Sequence, residues 1–285
     1  MNALKPIDTL KARLNADSVQ EQFRNALGNN AGTFVASVID LYNSDSKLQQ
    51  CEPNALINEA LRAATMKLPI NKALGFAYIL PFEKKFKDPE GKWGKKTEPA
   101  FVLGYKGLVQ LALRTGQYKT INADAAYEGE VRSVNRLTGE IDFAGQRKSD
   151  RIVGYFAYIE LINGFSKTLY VTVREMAEHA RKYSKGLKAE ITVDTLESLA
   201  GSRPDYGSVG WMGNFDEMAK KTVLRSLLSK YGYLSVEMQT AIADDLTAGE
   251  KETEAEVEDV RAIVIDEQPQ QPSAESKPRE IEPGY

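Results

Sequence analysis

Lys106, Gln110 and Arg114 stand four residues apart within the stretch 99–130. On a helix that spacing forms one polar stripe, opposite an apolar face of Leu108, Leu111 and Ala112. Tyr105 and Tyr118 mark the two ends of this element and Lys119 follows it. Together they would make a compact platform for a polyanion. A second cationic group, Lys221 and Arg225 with Lys220 beside them, shares a face one helical turn long. A third is the run 82–99, where Lys84, Lys85, Lys87, Lys92, Lys95 and Lys96 are interrupted by Phe86 and Trp93. Basic side chains track phosphates, while rings stack on bases or wedge between them. Each group also has a plainer reading. Lysines on a hairpin protect an exposed edge from aggregation, and Lys220, Lys221 and Arg225 lie close enough to Asp216 and Glu217 for surface pairs worth well under ~1 kcal/mol.

Covalent or hydrolytic chemistry lacks its parts. His179 is the sole histidine and is expected on a helix surface. Cys51 is the sole cysteine, which excludes an intramolecular disulfide and reads as a buried thiol. One histidine and one cysteine make no zinc cluster. Gly94-Lys95-Lys96-Thr97 resembles a phosphate loop only in passing, because an extra lysine breaks the Gly-Lys-Ser/Thr ending. Asp244-Asp245 opens an acidic tail and lines no cleft. No nuclease, ATPase or helicase constellation is present, and no ligand set calls for a cofactor; Mg²⁺ would have at most a supporting role.

Stepping along the chain gives the elements that must hold these groups. Val19, Phe23, Ala26 and Leu27 predict a short amphipathic helix ending at Gly28. Phe34 to Tyr42 gives a second helical face, and Pro53 to Lys67 a third, with proline in its first turn. Residues 76–82 and 101–103 read as paired strands joined across the turn signal Asp88-Pro89-Glu90-Gly91. A small hairpin is expected over 129–143. Residues 151–161 and 165–173 alternate around Asn163-Gly164, the strongest short hairpin signal. Thr172-x-x-Glu175 and Asn214-x-x-Glu217 are capping boxes that open helices to Lys182 and to about Tyr231. Hairpins with helices packed on one side give an α+β fold class.

The 285 residues, 42% hydrophobic and 27% charged, suit a globular chain able to bury a full core. No run approaches the ~20 apolar residues of a membrane helix, and the charged start MNALKPIDTLKARLN is no signal peptide. A cytoplasmic protein is expected. The net charge of −3 hides an asymmetry. From Asp244 onward 13 acidic residues face 4 basic ones, a balance of −9; the preceding 33 basic and 27 acidic residues give +6. A basic body with an acidic tail is common among proteins that handle nucleic acid. The expected organisation is an N-terminal arm for subunit contact (1–33), a folded core (34–246) and a disordered acidic tail (247–285).

FVLGYKGLVQLALRTGQYKTINADAAYEGE, from Phe101 to Glu130, resembles the signature of the RecT family of phage single-strand annealing recombinases. Three further blocks match in order: LPINKALGFAYILPF (68–82), VGYFAYIELINGFSKTLYVT (153–172) and FDEMAKKTVLRSLLSKYG (215–232). The resemblance covers most of 56–235. It implies ATP-independent pairing of complementary single strands by a ring or filament of subunits in the bacterial host cell. No catalytic residue is involved. The partners it implies are single-stranded DNA and annealed duplex, further copies of the chain, and a phage exonuclease or host single-strand-binding protein reached through the tail. On this view Lys106, Arg114, Lys119, Lys220, Lys221 and Arg225, with the hairpin Lys84, Lys85, Lys95 and Lys96, position phosphates, and Tyr105, Tyr118 and Trp93 stack. The rival is a metal-dependent DNA-processing nuclease, which would need carboxylates converging on Mg²⁺.

Overall fold

The computed structural model describes residues 6–87, 92–135, 137–184, 187–205 and 210–250, without the side chains of 85–87 and 246–250. Four helices come first: α1 (Pro6–Leu14), α2 (Asp17–Leu27), α3 (Ala31–Ser44) and α4 (Pro53–Thr65). Leu10, Leu14 and Phe23 are fully buried, so α1 and α2 are built into the core through contacts with α3 and α4. The opening segment thus holds two helices where the apolar spacing indicated one. Pro53 opens α4 and the Glu52 carboxylate accepts the Ala55 N–H at 2.9 Å, filling a helix-start donor that would otherwise lack a partner.

A long antiparallel ribbon follows, β1 (Ala77–Lys87) paired along its length with β2 (Trp93–Leu103). It extends well beyond the apolar runs that announced it. Pro81 lies opposite Pro99, which strands tolerate where the missing N–H would point outward. Two residues further along β2, the Phe101 N–H donates to Glu59 of α4 at 2.9 Å, and the Leu103 N–H donates to Asp245 at 3.0 Å. A proline and two carboxylates therefore close the outer edge of β2 where it enters the core.

The helix α5 (Tyr105–Arg114) leads into a three-stranded antiparallel sheet in the order β3–β6–β7, formed by β3 (Tyr118–Tyr127), β6 (Ile152–Leu161) and β7 (Ser166–Thr172). Between β3 and β6 the chain makes the two-residue ladder of β4 (Ser133–Val134) and β5 (Ile141–Asp142). Asn163-Gly164 turns β6 into β7, with Gly164 at φ 86°. Both halves of the Thr172–Glu175 capping box form at the start of α6 (Val173–Tyr183), which is followed by α7 (Val193–Glu197).

The sheet packs on α8 (Phe215–Tyr231), which buries residues on most of its circumference. Asn214 accepts the Glu217 N–H, but the Glu217 carboxylate turns to Lys220, so only half of this second box is formed. Tyr155 of β6 donates to Asp216 at 2.5 Å, and Asp216 also accepts the Gly201 N–H; burial beside that carboxylate raises the Tyr155 pKa far above the ordinary phenol range. Last comes α9 (Val236–Glu250), a helix the sequence did not announce, which packs on α5 and β2. The fold is α+β, and these elements belong to one compact unit, Met1–Glu252. Residues 251–285, most of the expected tail, lie outside the described residues.

Candidate nucleic-acid interface

The two faces of the ribbon differ. Strand alternation puts Ala77, Ile79, Phe101 and Leu103 on the inner face, all buried. Tyr78, Leu80, Phe82, Ala100 and Val102 form the other face; these are only partly covered, and Phe82 is 40% exposed. Towards the tip the outer face passes into lysine, with Lys84 directly opposite Lys96, while Lys85 is in register with Lys95 at the alternate positions. Like charges across a strand pair are destabilising, and the glutamates present offset this in part: Lys84 and Lys96 both approach Glu98, at 3.7 and 3.5 Å, and Lys95 meets Glu83 at 3.1 Å. Trp93, opposite Lys87, is 66% exposed. The Lys85 and Phe86 side chains lie outside the described residues.

At the base of the ribbon the chain turns through Gly104 into α5. A Cβ on Gly104 would stand 2.1 Å from the Gly75 carbonyl oxygen, and one on Gly107 only 2.0 Å from that of Phe76. Glycine is therefore required at both positions for the helix start to seat against the strand. No side chain caps this start, and the positive end of the helix dipole lies beside Lys106 in sequence. Lys106 is exposed, and its stem passes Gly75, which also lies against the Tyr78 hydroxyl. Tyr105 is half-buried. Burial raises its pKa, with Lys220, Glu217 and Asp124 all close enough to act on it electrostatically. Burial would lower the Lys220 pKa, but its pairing with Glu217 prevails and the value is raised. Tyr78, Tyr105, Lys106 and Lys220 thus gather where ribbon, α5 and α8 meet.

Other expected site residues are engaged elsewhere. Arg114 ends α5 with its guanidinium turned to the close of α4, donating to the Met66 carbonyl at 2.7 Å and the Lys67 carbonyl at 3.0 Å. Lys67 has φ 52°, the left-handed turn that stops α4, and Arg114 satisfies carbonyls left open there. Tyr118 is buried and donates to the Tyr233 carbonyl at 2.7 Å; burial pushes its pKa up to about 12. A ring held in this way has no open face for a base. Lys119 is exposed and pairs with Glu160 at 2.6 Å, which raises its pKa.

Lys221 and Arg225 do not form surface pairs with Asp216 or Glu217. Both reach Asp245 of α9, at 2.9 and 3.0 Å, and Lys221 is buried. Burial lowers the Lys221 pKa against the pull of Asp245. His179 is also a correction: it is partly buried, with its ring 4.8 Å from that of Tyr183, and burial, then the charges of Arg225 and Lys182, bring its pKa down to about 4. Cys51 is buried and its thiol is pushed up to about 11, away from reactive thiolate. Among the described residues no group of three His, Cys, Asp or Glu could hold a metal ion, and no helix is long and apolar enough to cross a membrane.

Sequence reasoning missed Tyr78 and Phe82, although the alternation of 77–82 carries apolar residues on both strand faces and the core can cover only one. It also missed Asp245, whose partners lie 20 and 24 residues back. What the surface can do chemically is hold anions and offer planar rings along one ribbon and one helix start.

Comparison with known proteins gives the family of the chain. The model of the RecT family matches residues 32–259. The chain belongs to the RecT family, a family of single-strand annealing recombination proteins. It is 43% identical over 238 residues to the Bacillus subtilis (strain 168) protein YqaK, covering 83% of this chain and 72% of that one. It is 29% identical over 200 residues to Protein RecT of Escherichia coli (strain K12), covering 70% of this chain and 65% of that protein.

Proposed function

We propose that the protein binds single-stranded DNA and pairs it with its complement without nucleotide hydrolysis. The carrying observation is the ribbon: it sets lysine opposite lysine at a cost in stability, and it runs directly into the cluster of Tyr78, Tyr105, Lys106 and Lys220. A cationic surface that destabilises its own fold makes sense if a polyanion neutralises it. Lys84, Lys85, Lys95, Lys96 and Lys106 track the backbone, Lys220 exchanges Glu217 for a phosphate, and Trp93, Phe82 and Tyr105 meet bases. Side-by-side copies in a ring or filament extend the track, so weak single sites add up along the strand. The DNA bases supply the energy of pairing, which is why no fuel is needed.

The test is a strand-pairing assay with two complementary labelled oligonucleotides, no nucleotide, and protein titrated from substoichiometric amounts. Duplex should form faster than in buffer alone, and the single-strand affinity should fall steeply with salt. Absence of both effects refutes the proposal, and cleavage of the label with Mg²⁺ would support the nuclease reading instead. We also assign 247–285 to recruitment of an exonuclease or host single-strand-binding protein. Deletion after Ala248 should spare DNA binding and weaken that association in a pull-down; loss of DNA binding would refute the assignment.

A further inference from the structure

Three donors converge on one carboxylate in the core. Asp245 of α9 accepts from Lys221 Nζ at 2.9 Å and from the Leu103 N–H at 3.0 Å through Oδ1, and from Arg225 Nη1 at 3.0 Å through Oδ2. Its side chain is 3% exposed. Two cations and a backbone amide around one planar anion is a donor set equally suited to phosphate oxygens. The cluster keeps one positive charge in excess.

The rest of α9 shows why this contact is unusual. Its inward stripe is Met238, Ala241 and Ile242, and Asp245 takes the next position, where another aliphatic residue would bury the helix without desolvating charge. A buried ion cluster adds little stability over well-packed apolar groups, yet it fails when its counter-ion leaves. Asp244 of the same helix pairs with Arg62 of α4 at 3.7 Å. The location matters too. Leu103 directly precedes the Gly104–Lys106 helix start, and Lys221 follows Lys220 on α8, so the cluster lies at the inner end of the proposed DNA track.

We propose that Lys221, Arg225 and the Leu103 amide form a site for a DNA backbone phosphate, which Asp245 fills within the free chain, so that α9 is an autoinhibitory latch displaced by DNA. The proposal rests on the DNA-binding reading above and extends it. Displacement substitutes one anion for another around the same donors, so the two cations are never left bare. The released pair lengthens the cationic track, and α9 carries the movement to the residues that follow it.

Two experiments on the full chain test this. In the first, hydrogen exchange of the wild type is followed by mass spectrometry, alone and saturated with an oligo(dT) strand. Peptides from 236–250 should exchange faster when DNA is bound; unchanged or slower exchange overturns the latch, and no variant needs to fold. In the second, Asp245→Asn and the control Asp40→Asn are titrated with the same strand across a salt series. Asp245→Asn should bind more tightly, with a salt slope steeper by about 1.4, from about 0.7 for each of two added contacts. Asp40→Asn removes the same charge from an exposed position on α3 and should leave the slope unchanged. An equal gain from both variants, or no gain from Asp245→Asn while wild type binds, removes the latch alone. Absence of binding by wild type and Asp245→Asn alike removes the DNA-binding reading and the latch with it.

Discussion

Replacing Lys84, Lys95 and Lys96 together by glutamine separates a functional ribbon from a structural one. In the folded protein Lys84 opposes Lys96, and among the described residues the three lysines pair with the exposed Glu83 and Glu98 at 3.1–3.7 Å. Such exposed pairs contribute less than about 1 kcal/mol each, and relief of the lysine–lysine opposition returns a similar amount. Stability should therefore stay within about 1 kcal/mol of wild type in a urea titration. Binding should respond very differently. Each single-strand phosphate contact contributes about 0.7 to the salt slope, so three are worth about 2 in log K at 0.1 M salt, roughly 100-fold or ~2.8 kcal/mol per site. Fluorescence anisotropy with a labelled oligonucleotide, run across a salt series, reads both the loss and its disappearance towards 1 M. Unchanged affinity at low salt, or a loss that does not shrink as salt rises, refutes the assignment of these lysines to phosphates.

The remaining predictions concern residues that hold the fold. Arg114→Ala should show the reverse pattern, losing about 1–2 kcal/mol of stability because the Met66 and Lys67 carbonyls just past α4 lose charge-assisted donors, while affinity at equal folded fraction is retained; an affinity loss without destabilisation would place Arg114 on DNA. The folded chain protonates His179 only near pH 4, whereas the unfolded chain does so near 6.5. Acid therefore favours unfolding across that window, removing up to about 3 kcal/mol, and His179→Gln should flatten the stability profile between pH 6.5 and 4. An unaltered profile in that variant assigns the acid sensitivity to other groups. Cys51, with its thiol pushed up to about 11, should resist a maleimide at pH 7.5 in the native protein and react in urea; rapid native labelling would contradict its burial.

Local signals read well and distant ones did not. Asn163-Gly164 turned where its backbone preference dictates, and Thr172–Glu175 formed both halves of its box, because each depends on residues a few positions apart. Arg114 has helical spacing from Lys106, yet its partners are 47 and 48 residues away, and no periodicity reveals them. The same holds for Lys221, whose Asp216 and Glu217 neighbours suggested a surface while Asp245 placed it in the core. In α9 a thin stripe of Met238, Ala241 and Ile242 ends on an acid, so the segment resembled the start of a solvated tail. Glu217 shows that a capping sequence can be outbid: with Lys220 one turn away, its carboxylate left the helix start for the ammonium.

Glu59 and Asp245 have a consequence for how the protein fails. Were either acid lost, a β2 N–H would keep no acceptor under the helix that covers it, and fraying of that helix would offer the strand flank as a template on which chains could add one above another as in a cross-β fibre. Glu59→Ala stocks stored at high concentration would then be expected to seed thioflavin-positive aggregates sooner than wild type, even with annealing activity unimpaired at the outset.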